Sequence, residues 1–117
     1  MRTSSNKLNE TLKNQVKKTL AQVLTDLKNP DEAYQFLSDF FTEAEFESFA
    51  KRLAVAYWLK NGRSYVNIKN NLKVSSATIA DISNTMRTKG FDLALKKLEA
   101  EEWAAQWAEK IKKFINK

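Results

Sequence analysis

The chain reads as an all-α protein, and three features of its 117 residues say so. It holds only two glycines and one proline, too few of the turn residues that a sheet protein needs between strands. Its apolar residues recur every three or four positions over most of the length, which is the spacing of one helix face. Between these stripes stand residues that start and stop helices. The length suits one compact domain with a core, expected over residues 1–117, and is too short for two.

The first helix is expected from about Asn6 to Lys28, with Leu8, Leu12, Val16, Leu20, Val23, Leu24 and Leu27 as its stripe and the first five residues frayed. Asn29-Pro30-Asp31-Glu32 ends it and begins the second helix. Asparagine serves as N-cap, proline fits the first helical position, and two acids lie in the positive first turn. Ala33, Tyr34, Phe36, Leu37, Phe40 and Phe41 make that helix apolar over much of its circumference, so it needs cover on more than one side. Thr42-Glu43-Ala44-Glu45 is a capping box opening a third helix. Its buried stripe is Phe46, Phe49, Leu53, Ala56, Tyr57 and Leu59, and it stops near Asn61 with Gly62 in the left-handed conformation.

Residues 62–90, GRSYVNIKNNLKVSSATIADISNTMRTKG, hold two short helix patterns joined by a tight connection. The first opens with Ser64 as N-cap and turns Tyr65, Ile68 and Leu72 inward; the second opens at Ser75 and turns Ile79, Ile82 and Met86 inward, with Val74 plugging the corner. Gly90 is expected to close the second helix. A last helix runs from about Asp92 with Leu95, Leu98, Trp103, Trp107, Ile111 and Phe114 as its stripe, the two tryptophans serving core or dimer packing. The pair at about residues 64–88 reads as a helix-turn-helix, whose outer face enters a DNA major groove.

No cysteine and no histidine is present, which removes thiol nucleophiles, disulfides, imidazole bases and the commonest zinc ligands. No catalytic residue, metal or cofactor is expected, and the chain is read as no enzyme. No apolar run approaches the ~20 residues of a membrane span. The start MRTSSNKLNE lacks the apolar block of a secretory signal, so a cytoplasmic protein with no membrane partner is expected. The net charge of +6 is uneven. Residues 1–30 carry six bases and two acids and residues 63–90 five bases and one acid, +4 each, while residues 31–62 carry three and six, −3. The basic segments are the amino-terminal helix and the helix-turn-helix, as a phosphate-binding surface requires. Bases in the tail, Lys110, Lys112, Lys113 and Lys117, read as a solvated face.

Steps of 100° per residue put Ala77, Ala80, Asp81, Asn84 and Thr88 opposite the inner face of the second helix, facing DNA. Ser75, Ser76, Ala77 and Thr78 sit at its start, where amides and hydroxyls suit phosphates or base edges. Asp81 can accept from a cytosine amino group. Lys69 and Lys73 contact the backbone, with Ser64, Tyr65 and Asn84 as further candidates. Two positions depart from a common helix-turn-helix. Lys73 stands in the turn where glycine is usual, and Lys69 replaces a small residue of the first helix.

The segment FFTEAEFESFAKRLAVAYWLKNGRSYVNIKNNLKVSSATIADISNTM resembles the Trp repressor superfamily, and DEAYQFLSDFFTEAEFESFAKRLAVAYWLKNG is especially similar to the YerC/YecD type of TrpR-like proteins. The resemblance covers about residues 20–98. It implies a Trp repressor-like helical domain, an intertwined homodimer and a transcriptional regulator of double-stranded DNA. In that family the tryptophan corepressor lies between two arginines with threonine and serine groups around it. Arg52 matches the first arginine and Thr42 and Thr78 two of the threonines, whereas the second arginine falls at Asp81 and the serine of the next turn at Thr85. Thr42, Arg52, Thr78 and Thr85 are therefore the candidate effector pocket, and whether a small-molecule effector binds stays open. A carboxylate in place of the second cation reverses the local electrostatics, so tryptophan is not expected as the effector. Arg52 also has a plainer role open to it, an ion pair with Glu47, Glu45 or an acid of a neighbouring helix. The competing reading is a helical protein-interaction module that keeps the fold without reading an operator, since Asp81 weakens the basic face.

Overall fold

The computed structural model describes residues 6–115, with the backbone alone at 104, 107, 108 and 110–115. The described residues form six helices and no strand: α1 (Glu10–Asp26), α2 (Pro30–Phe40), α3 (Glu43–Lys60), α4 (Tyr65–Leu72), α5 (Ser76–Thr85) and α6 (Lys89–Ile115). They fall into two compact units, one up to Glu43 and one from Ala44 onward.

In the first unit, the Asn9 side-chain oxygen accepts from the amides of Thr11 at 2.9 Å and Leu12 at 3.2 Å. That cap starts α1 at Glu10 rather than near Asn6, and leaves Leu8 ahead of the helix. α1 ends at Asp26, two residues short of expectation, because Leu27 is already extended (ψ 131°) as the chain turns toward the Asn29-Pro30 start of α2. Asn29 caps α2 by accepting from the Glu32 amide at 2.9 Å, with Pro30 at its first position. The Phe36 and Phe40 rings stack at 4.9 Å, and Phe41 meets Phe40 edge-on at 5.6 Å. Neither α1 nor α2 contains a fully buried residue, and Leu12, Val16, Leu20, Val23 and Leu24 remain 38% to 49% exposed.

The second unit is built on Val55 and Ala56 of α3, Ile68 of α4, Ile79 and Ile82 of α5 and Leu95 of α6. Leu72, Val74, Met86, Phe91 and Leu98 pack against that core. The inward positions expected for Ala56, Ile68, Ile79, Ile82 and Leu95 hold. Three others do not: Tyr65, Phe49 and Trp103 are 43%, 48% and 62% exposed. α4 is only two turns long, and Ile68 with Leu72 take up its inner face, leaving Tyr65 outside at its first residue. Val55 escaped the expected stripe because residues 53–59, LAVAYWL, are apolar on every side of α3.

Gly62 closes α3 at φ 82° as expected, and Lys60 pairs with Glu99 of α6 at 2.8 Å. Gly90 does not close α5. That helix ends at Thr85, with Met86 at φ −69°, ψ −5° donating to the Ile82 carbonyl. A tight turn from the Thr88 amide to the Thr85 carbonyl at 3.2 Å follows, and α6 begins at Lys89, so Gly90 stands inside its first turn. The turn already satisfies the carboxyl end of α5, which removes the need for a left-handed residue. Residues 1–5 and the side chains of Trp107, Ile111, Phe114, Lys110, Lys112, Lys113 and Lys117 lie outside the described residues. No helix among the described residues is long and apolar enough to cross a membrane.

Candidate nucleic-acid interface

Local hydrogen bonds cap α4 and α5 at their starts, and the isoleucines of both helices share one core. The Ser64 hydroxyl accepts from the Asn67 amide at 3.1 Å and starts α4. Lys73 then takes the left-handed conformation (φ 56°, ψ 52°), the only non-glycine with positive φ among the described residues. The chain departs from the usual glycine here without departing from the usual turn geometry. The Ser75 hydroxyl accepts from the Thr78 amide at 3.1 Å and lies 2.9 Å from the Thr78 hydroxyl. Both side chains thus serve the cap. The first intrahelical bond of α5 runs from the Ile79 amide to the Ser75 carbonyl at 3.1 Å, so the Ser76 and Ala77 amides precede it and have no acceptor within the helix.

With Ile79 and Ile82 in the core and Ser83 half-buried beside them, the outer side of α5 and its cap are open to solvent: Ser75, Ser76, Ala77, Thr78, Ala80, Asp81 and Asn84 are all exposed. Ser64, Tyr65, Lys69 and Lys73 are exposed as well. Thr88, expected on the same face, lies three residues past the end of α5, where its hydroxyl donates to the Thr85 carbonyl at 3.0 Å. The earlier helix end takes it out of the α5 periodicity.

A cleft of about 730 Å³ lies between the first half of α3, the turn and α5. It brings together Arg52, Thr78 and Thr85 of the expected effector pocket with Lys51, Lys73, Asp81 and Asn84. Thr42 belongs to the other unit, just ahead of α3. Glu47 pairs with Lys51 at 3.5 Å, while the Arg52 guanidinium lies 5.7 Å from the Phe49 ring. The Thr85 hydroxyl donates back to the Asp81 carbonyl at 3.1 Å, with Ile82 at 3.3 Å, so its proton is engaged within the helix. Asp81 has no ion-pair partner among the described residues and faces a cleft shared with three cations.

One contact was not legible in the sequence. The Arg63 guanidinium carbon lies 3.9 Å from the centroid of the Trp58 ring. The signal that could have found it is a tryptophan five residues before an arginine across a glycine turn.

The family described as Trp repressor protein matches residues 15–99. The chain is 31% identical to the uncharacterized protein YerC of Bacillus subtilis (strain 168) over 81 residues, 68% of this chain and 78% of that one. It is also similar to the crystal structure of a TrpR like protein from Eubacterium eligens ATCC 27750, with a TM-score of 0.70 and 33% identity, covering 78% of this chain and 96% of the other.

Proposed function

The chain belongs to the Trp repressor protein family, and on that premise we propose that it is a sequence-specific DNA-binding transcriptional regulator. The observation that carries this reading is the two-sidedness of α5: Ile79 and Ile82 are sealed in the core while Ala77, Ala80, Asp81 and Asn84 stay open. A helix held by one side and bare on the other is what a major groove accepts. Ser76 and Ala77 present amides to phosphate or base edges, the Ala77 and Ala80 methyls suit a thymine methyl, and Asp81 accepts from a cytosine amino group. Lys69 and Lys73, with Ser64 and Tyr65, hold the phosphates. Occupying a promoter then represses transcription by occlusion.

The regulator acts as a homodimer. The apolar line along α1 and the 62%-exposed Trp103 are surfaces that a second copy would cover. Two helix-turn-helix units related by a two-fold axis read half-sites about one helical turn apart. The cleft at Arg52, Thr78 and Thr85 is the effector site, if an effector acts, and Asp81 makes it a poor site for tryptophan.

A gel shift with pooled genomic fragments at two salt concentrations tests the reading. Sequence-selective retention that survives the higher salt is expected. Retention of no fragment would instead favour a protein-interaction module, a reading supported by Asp81, which has no ion-pair partner among the described residues, on the groove-facing helix.

A further inference from the structure

We propose that Arg63 is a phosphate anchor for duplex DNA, held in its binding pose by the Trp58 ring. The proposal rests on the DNA-binding reading and extends it to a residue outside the two helices of the helix-turn-helix.

Arg63 sits in the short link between α3 and α4, directly before the cap Ser64. Its backbone is fixed: Gly62 turns the chain at φ 82°, the Gly62 amide donates to Leu59 at 3.0 Å, and the Arg63 amide donates to the Trp58 carbonyl at 3.0 Å. Its side chain is also fixed. The guanidinium carbon is 3.9 Å from the indole centroid, well inside the range of a cation–π contact, and Nη1 donates to the Asn67 Oδ1 at 3.4 Å. The ring contact uses none of the N–H groups, and those not given to Asn67 remain for another acceptor.

No carboxylate among the described residues supplies that acceptor. Lys51, Lys60 and Lys96 pair with Glu47, Glu99 and Asp92, yet among the described residues Arg63 pairs with no carboxylate. It is a preorganised cation without a counter-ion, next to the amino-terminal turn of α4, where the helix dipole also favours an anion. In a helix-turn-helix the first helix crosses the DNA backbone, so the anion this edge meets is a phosphodiester. Planarity makes arginine the right residue: it can offer a fork to two phosphate oxygens from its place over the ring, which a lysine ammonium cannot do. The contact neutralises a phosphate without reading a base, so it strengthens binding to every sequence.

The test is fluorescence anisotropy with a mixed-sequence duplex over a range of salt, using wild-type protein, R63Q, R63K, W58L and W58F, each checked for helix content by circular dichroism. R63Q is expected to lower the salt slope by about 0.9 per protomer bound, about 1.8 for a dimer, so that the wild-type advantage shrinks roughly eightfold per bound protomer, roughly sixtyfold for a dimer, for each tenfold rise in salt. R63K and W58L keep the charge and the slope but bind severalfold more weakly, and W58F recovers most of the loss. A wild-type slope in R63Q, with wild-type protein binding the duplex, overturns the anchor and leaves the DNA reading standing. Loss in R63Q of inorganic phosphate binding alone, with DNA binding unchanged, assigns the residue to a small anion and overturns it too. A wild-type protein that holds no duplex ends both.

Discussion

The amide of Lys73 donates to the carbonyl of Lys69 at 3.0 Å while Lys73 itself holds the left-handed conformation at φ 56°. The backbones of the two lysines proposed to meet phosphate are therefore tied within one turn, and Lys73 occupies its position at a conformational cost of about 1 kcal/mol relative to glycine. A residue proposed for phosphate binding that sits in a strained position separates stability from binding, which makes the proposal testable.

Lys73→Gly is expected to raise stability by about 1 kcal/mol, read as a higher melting temperature, and to flatten the salt dependence of DNA binding by about one unit. Lys69→Ala and Lys73→Ala weaken binding to all sequences and flatten that dependence by about one unit each. An unchanged slope in the double variant removes both lysines from the interface.

Asp81 is exposed on α5, and a carboxylate there accepts from cytosine where an amide pairs with adenine. Selection of bound duplexes from a random pool should show Asp81→Asn shifting the preference at one position from cytosine toward adenine. Discrimination of about 1–3 kcal/mol is expected there. Identical preferences for the two proteins would show that Asp81 reads no base.

The cleft sets Asp81 on the same wall as Thr78 and Thr85 and brings it together with Arg52, so a ligand carboxylate meets repulsion where the family pattern has a second arginine. Titration calorimetry with L-tryptophan should give no micromolar binding. Micromolar heat accompanied by tighter DNA binding would show that the carboxylate is tolerated and the expectation wrong.

The two glycines should respond in opposite ways. A Cβ meets nothing within 4 Å at either, so only backbone conformation decides. Gly90→Ala, inside the first turn of α6, is expected to stabilise by about 0.5–1 kcal/mol, whereas Gly62→Ala at φ 82° destabilises by about 1 kcal/mol. Equal shifts in thermal melts of the two variants would contradict the helix start at Lys89.

Local chemistry made much of this fold readable. Asn29, Ser64 and Ser75 each cap the helix they were expected to cap, Gly62 closes α3, and Ile68, Ile79 and Ile82 face inward, because capping and periodicity act within a few residues along the chain. The errors arise where local signals were ambiguous or overruled. Gly90 carries a stop signal that the turn at Met86 made unnecessary, and Thr88 lost its place on the α5 face when that helix ended at Thr85. Val55 was hidden in an evenly apolar stretch with no stripe to choose.

By itself, then, the sequence determined which segments are helices, that Ile68, Ile79 and Ile82 turn inward from α4 and α5, and that a lysine stands in the turn where glycine is usual. Tertiary structure decided what lies side by side across space: Asp81 with Arg52 in one cleft, and Arg63 on Trp58. The physical reason is range. Caps and helical stripes follow from bonds between residues three or four apart, whereas a cleft or a cation over a ring exists only once packing has fixed the helices and the links between them.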